Sequence, residues 1–255
     1  TDFAMSRGCR GMVIAVAVAV LSVVIFHRSS PVFLGFFLES RSLAESLRAP
    51  GPGVSGWIAR KMMAIVNAES NVDVVESLLS VHSGHTVVEL GPGHGFSLRE
   101  ILRKEPAHVY AIEVSESFRS TLAADSDFSK AVEDKVLEIR GDAGPRLPFI
   151  PSESVDRLLG MNVLQFLDPL EEYVDEVYRV LKPGGLVVWG NKDVAKAGDP
   201  AVFVNTDWDK CAAVMSAAGF EVTSAKVRLS GKSAYLPLVG RKPRAGGGGR
   251  EQAVA

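Results

Sequence analysis

The stretch that most constrains this chain is Val87-Val88-Glu89-Leu90-Gly91-Pro92-Gly93-His94-Gly95-Phe96, an apolar run that breaks into alternating glycines. This pattern fits a buried strand, a tight turn and the start of a helix. In open α/β sheets ligands bind at the C-terminal ends of the strands, and bare glycine backbone lets a ligand come close. The spacing is GxGxG. In a dinucleotide fingerprint the third glycine would fall at position 96, which is Phe, and that argues against NAD and FAD.

Around this stretch the chain alternates between strand-like and helix-like patterns, as a parallel sheet with helices on both faces requires. Strands are expected at 85–90, 108–112, 135–139, 155–161, 185–189, 221–226 and 233–239. Helices are expected at 71–81, 96–104, 116–123, 170–181 and 207–218. Asp168-Pro169 reads as a cap followed by a first-turn proline, and Lys182-Pro183-Gly184-Gly185 as the stop of the same helix. A further helical stripe, Trp57, Ile58, Met62, Ile65 and Val66, follows Val54 and suits a helix packed on the domain or a lid over a site.

At 255 residues there is room for one α/β domain with appendages. The domain is expected to span 54–244, after a segment at 1–30 and a linker with an apolar patch at 31–53. A glycine-rich tail at 245–255 should be disordered. Residues 11–26 are apolar and uncharged, with Arg7 and Arg10 before them and His27 and Arg28 after. They read as a single-pass membrane anchor, with a cleaved leader or a buried helix as rivals. Sixteen helical residues reach about 24 Å, short of a typical hydrocarbon core of about 30 Å, so a thin bilayer or snorkelling flanks would be needed. The two cysteines, Cys9 and Cys211, give neither a disulfide framework nor a zinc spacing, and they fit a catalytic domain facing a reducing compartment. A formal charge of -2 gives no basic face for nucleic acid. No set of His, Asp and Glu stands out as a metal site.

Glu113 ends the next expected strand, where its carboxylate can accept hydrogen bonds from ribose hydroxyls. Gly141-Asp142-Ala143 follows the third strand and can present a carboxylate to an adenine amino group. Taken with these, Asp156-Arg157-Leu158-Leu159-Gly160-Met161-Asn162 and Arg179-Val180-Leu181-Lys182-Pro183-Gly184-Gly185 complete an ordered set that resembles the class I S-adenosylmethionine-dependent methyltransferases, in particular their small-molecule, ubiquinone-biosynthesis or type 11 branch. The resemblance covers about residues 54–241. It implies a Rossmann-like seven-stranded sheet of order 3-2-1-4-5-7-6, the last strand antiparallel.

It also implies the cofactor, S-adenosyl-L-methionine, and a partner, a small-molecule or lipid-like methyl acceptor. By the same resemblance Glu89 and the turn Gly91, Pro92, Gly93 and Gly95 would hold the methionine moiety. Glu113, with Val114 beside it, would hold the ribose, and Asp142 with Ala143 the adenine. Asn162, Leu164 and Gln165 would line the cofactor and the acceptor pocket. No dedicated base stands out, and His82, His85 and His94 are candidates by residue type alone. A non-catalytic binding or scaffold protein of the same fold, and a nucleotide-dependent oxidoreductase, are the alternative readings.

Overall fold

A computed structural model describes residues 41–51, 54–142, 144–192, 198–229 and 234–244. The anchor reading at 11–26, the patch at 32–38 and the tail at 245–255 lie outside the described residues. Among the described residues no helix is long and apolar enough to cross a membrane.

One sheet organises the chain. Its strands are β1 (Thr86–Leu90), β2 (His108–Ile112), β3 (Leu137–Arg140), β4 (Val155–Met161), β5 (Leu181–Asn191), β6 (Glu221–Ser224), β7 (Val227–Arg228) and β8 (Ala234–Arg241). The order is β3-β2-β1-β4-β5-β8-β6, with the two-residue β7 pairing on β8. Neighbours from β3 to β5 are parallel, and β8 runs antiparallel between β5 and β6. Leaving β7 aside, this is the 3-2-1-4-5-7-6 order. The reversal on either side of β1 puts its C-terminal end between two diverging crossovers, where such sheets bind ligands.

The helices follow from apolar periodicity and local caps. They are α1 (Arg41–Arg48), α2 (Val54–Val74), α3 (Phe96–Arg103), α4 (Glu116–Ala123), α5 (Ser126–Glu133), α6 (Leu170–Val180) and α7 (Trp208–Ala217). Because strand side chains alternate, adjacent Val87 and Val88 serve opposite faces. Val88, Leu158, Val187 and Trp189 pack with Val174 and Val177 of α6 and with Trp208, Cys211 and Met215 of α7. Val87, Val109, Leu159 and Val188 pack with Val74, Val75 and Leu79, with Leu98 and Ile101 of α3 and with Phe128 of α5. Each such side chain contributes about 1.5–3 kcal/mol by its burial.

Several boundaries differ from the sequence expectation for local reasons. The helix expected at 71–81 is the end of α2, which continues through a π-helical turn, Val75–Leu79, and stops at left-handed Ser80. The unexpected α5 is nucleated by Asp125, whose side chain accepts from the backbone N–H of Asp127 and Phe128. Helix α6 begins at Leu170 with Pro169 as its N-cap and no side-chain cap bond, so Asp168 does not fill the capping role. The β3 strand starts two residues later than expected, because Lys135 has positive φ in a turn. In β5, Leu181 pairs with Val155 before a register shift, and Gly184 takes φ +83° there, so Lys182-Pro183-Gly184-Gly185 ends the helix and also forms a bulge in the strand. Residues 41–48, within the stretch read as a linker, form α1; its Ala44 is fully buried, and Pro50 beyond it is buried.

Candidate cofactor site

The site begins where β1 ends. Gly91 and Gly95 have φ of +68° and +77°, in the left-handed region that side chains disfavour, and neither has room for one. A Cβ on Gly91 would stand 2.6 Å from Val163 Cγ2, and one on Gly95 2.6 Å from the Phe128 ring. The turn is tied to β2 by the Gly91 N–H, which donates to the Ile112 carbonyl at 2.8 Å.

Two buried carboxyls flank this turn. Glu113, one residue past β2 and 3 % exposed, accepts from the Gly93 N–H at 2.9 Å and the Ser115 N–H at 2.8 Å. Burial pushes its pKa up, and those two bonds oppose the push. Glu89, the penultimate residue of β1, is 1 % exposed. The Ser97 hydroxyl of α3 donates to its Oε1, while its Oε2 has no partner among the described residues. Burial raises this carboxyl to about 8; the Ser97 bond lowers it somewhat, and the charge of Glu113 adds a smaller upward push. A buried acceptor oxygen beside a glycine turn is suited to a ligand bearing a positive charge or an N–H donor.

The remaining expected positions sit as follows. Pro92 is buried, and its carbonyl accepts from the Gly95 N–H at 2.8 Å. Val114 is 41 % exposed at the β2 tip, where the Arg119 guanidinium donates to the carbonyls of Glu113 and Val114 at 2.7 and 2.8 Å. Asp142 follows β3 and closes its own turn, its Oδ1 accepting from the Gly144 N–H at 2.9 Å. Ala143 lies outside the described residues. Asn162, just past β4, takes left-handed φ +55°, and its Oδ1 accepts from the Lys192 N–H at 3.1 Å. Gln165 donates through Nε2 to the Asn162 carbonyl at 2.8 Å. Leu164 is fully buried in the core, and its carbonyl accepts from Asn205. The ends of β1, β2 and β4 thus bring Glu89, the glycine turn, Glu113 and Asn162 to one edge of the sheet.

The histidines divide. His82 and His85 precede Thr86, at the N-terminal end of β1 and therefore at the opposite edge of the sheet from the glycine turn. His94 lies in the turn, half buried between Phe96 and Phe118, and its Nε2 donates to the Arg60 carbonyl of α2 at 2.7 Å. Burial holds its pKa down, which the Arg60 backbone bond opposes and the charges of Arg60 and Lys61 reinforce. Its contact is with the helix that begins at Val54. A second tie to the N-terminal stretch is the Ser115 hydroxyl, which donates to the Pro50 carbonyl at 2.8 Å. Sequence reasoning did not single out Ser97, Ser115 or Arg60. Ser97 had a local signal, its place in the first helical turn after the glycines, and so had Ser115, the N-cap of α4, whose hydroxyl accepts from the Phe118 N–H; Arg60 acts through a contact distant in sequence.

A methyltransferase domain family matches residues 88–189, from within β1 to within β5. An uncharacterized methyltransferase of Bacillus subtilis (strain 168), YdaC, is 26% identical over 129 residues, which is 50% of this chain and 67% of that protein. Sterol 24-C-methyltransferase ERG6B of Gibberella zeae is 30% identical over 108 residues, 42% of this chain but only 28% of its own length. Among solved structures, a SAM dependent methyltransferase from Aquifex aeolicus superposes with a TM-score of 0.54 at 19% identity, covering 71% of this chain and 96% of that one; at that identity the likeness speaks for the fold. The sheet order and the family match across the glycine turn agree: residues 88–189 are similar to a methyltransferase domain, and the sheet has the fold of the solved SAM dependent methyltransferase.

Proposed function

We propose that this chain transfers a methyl group from S-adenosylmethionine to a small-molecule or lipid-like acceptor at the C-terminal edge of β1, β2 and β4. The observation that carries the reading is the unpartnered Oε2 of Glu89, buried one residue before the end of β1 and bordering the glycine turn. A carboxyl there stays neutral until a positively charged group reaches it, and the methionine moiety brings an ammonium. Glu89 and the Gly91, Pro92, Gly93 and Gly95 turn would hold that moiety. Glu113 would accept from the ribose hydroxyls, because a carboxylate oxygen that already takes one N–H retains acceptor capacity. Val114 would lie against the ribose, and Asp142 and Ala143 would face the adenine. Asn162 and Gln165 would line the boundary with the acceptor; Leu164, whose side chain is in the core, would support them from below.

When bound, the cofactor supplies a methyl already activated on a positively charged sulfur. The protein's part is then alignment and exclusion of water, and alignment contributes on the order of 7–11 kcal/mol. The lipid-like side of the reading is supported by the sterol relative and by the apolar run at 11–26, which we take as a membrane anchor for the catalytic domain. Incubation of the full chain with methyl-labelled cofactor, against membrane lipid extract and soluble metabolites as separate acceptor pools, should put label into the lipid pool. Label in neither pool contradicts the transfer reading. Deleting residues 1–30 should make a carbonate-resistant protein extractable while preserving cofactor binding; full-length protein already extracted by carbonate contradicts the anchor.

A further inference from the structure

At the C-terminal ends of β4 and β5 three buried side chains carry polar atoms without partners among the described residues. Asn191, fully buried, leaves both its amide oxygen and its amide nitrogen unpaired; Gln165 leaves Oε1 and Trp208 leaves Nε1. Buried polar atoms are ordinarily matched, so several unmatched ones in one neighbourhood call for an explanation.

A chain of hydrogen bonds brings them into one neighbourhood. The Asn162 N–H donates to the Gly190 carbonyl at 2.7 Å, and the Asn162 Oδ1 accepts from the Lys192 N–H at 3.1 Å, so Asn162 brackets Asn191. Gln165 donates to the Asn162 carbonyl, and its own carbonyl accepts from the Val204 and Asn205 N–H groups at 2.9 and 3.3 Å. Trp208 follows three residues later at the start of α7. Leu236, opposite Asn191 across the β5–β8 pair, and Leu164, Trp189 and Trp208 give this seam apolar walls.

We propose that the seam is the acceptor subsite and that it takes a neutral, hydroxyl-bearing molecule on an apolar frame, an assignment that rests on the methyl-transfer reading above. A hydroxyl both donates and accepts. Asn191 offers a donor and an acceptor, Trp208 a donor and Gln165 an acceptor, so a hydroxyl, with two lone pairs and one proton, complements both donors and one of the two acceptors at a time. The unmatched groups are themselves neutral, two amides and an indole, so none of them balances a charge on the acceptor. The ring pair Phe166 and Phe203, 5.0 Å apart, neighbours Gln165 and Val204 in the chain.

Equilibrium dialysis of the S-adenosylhomocysteine-saturated full chain against dodecanol, dodecanoate and dodecylamine tests this. Dodecanol should bind at least about tenfold more tightly than either charged analogue, on the scale of hydrogen bonds that satisfy buried groups. Asn191→Leu should weaken dodecanol binding by about tenfold or more while S-adenosylhomocysteine affinity moves less than about twofold. Trp208→Phe keeps the ring in the core and deletes only the N–H; it should weaken dodecanol binding severalfold, and it decides the matter if Asn191→Leu does not fold. Unchanged dodecanol affinity in the folded variants, the result expected if the seam merely holds ordered water, overturns the assignment, as does equal binding of the charged analogues. Failure of the wild-type chain to bind S-adenosylhomocysteine strikes the cofactor reading instead, and the acceptor assignment falls with it.

Discussion

Glu89→Gln should separate the cost of the buried carboxyl from its use. Glu89 is 1 % exposed, with one oxygen bonded to Ser97 and the other without a partner among the described residues, and burial raises its pKa to about 8 from 4.5. Because the folded value lies above the unfolded one, the native state is favoured while the group is protonated. That advantage is complete below about 4.5 and fades as pH climbs to about 8, after which no more is lost. The two units between pH 6 and about 8 correspond to about 3 kcal/mol at about 1.4 kcal/mol per unit. Glutamine is neutral throughout and keeps an oxygen for Ser97. Wild type should therefore lose about 3 kcal/mol relative to Glu89→Gln between pH 6 and pH 9, which for a domain of this size is a widening of about 6–12 °C in melting temperature. Thermal unfolding of both proteins without ligand across that range measures it, and other titrating groups cancel in the difference. The stabilised variant should also bind S-adenosylmethionine about tenfold or more weakly, since it no longer offers a carboxylate. Parallel melting curves at all pH values would refute the reasoning, by showing that Glu89 is ionised in the ligand-free protein.

Glu113→Ala leaves the Gly93 and Ser115 N–H groups buried without an acceptor, at about 1–3 kcal/mol each. Denaturant midpoints should show that loss, and titration should show S-adenosylmethionine affinity falling at least tenfold; unchanged affinity in a folded variant sinks the ribose assignment. Gly95→Ala and Gly93→Ala should fail differently. At Gly95 a Cβ meets Phe128 at 2.6 Å, so stability should drop by about 2–4 kcal/mol from overpacking and left-handed strain together. At Gly93 nothing among the described residues stands nearer than 3.8 Å, so unfolding should show only about 1–2 kcal/mol of strain while cofactor affinity collapses, because the proposed site gives that space to the ligand. Equal affinity losses per unit of stability in the two variants would mean the turn is structural only.

Much of this arrangement was legible because period-two and helical patterns decide which face is buried. The strand at His108–Ile112 and the helix at Glu116–Ala123 fall where the pattern puts them, each bounded by a local signal, Glu113 and the Ser115 cap. Where the expectation slipped, a tertiary or backbone effect intervened. Leu181 is drawn into β5 by pairing with Val155, across a glycine bulge that sequence alone reads as a stop. Helix α1 became visible only through packing, since its own residues are polar apart from the leucines and alanine of Arg41–Arg48. At the site, residue types marked Glu89 and Glu113 as carboxyls near a turn, but not that one would bind the turn itself and the other be left half-satisfied. His94 was ambiguous in the same way: its role depends on the Arg60 carbonyl, 34 residues earlier in the chain.

Whether the glycine turn with Glu89 and Glu113 holds S-adenosylmethionine is tested most directly by calorimetric titration of the full chain. S-adenosylmethionine and S-adenosylhomocysteine should each bind one-to-one, NAD should not, and in buffers of different ionisation enthalpy binding at pH 7 should release close to one proton as Glu89 ionises, a release absent in Glu89→Gln. Tight binding of NAD, or no binding of either S-adenosyl compound by folded protein, would contradict the account.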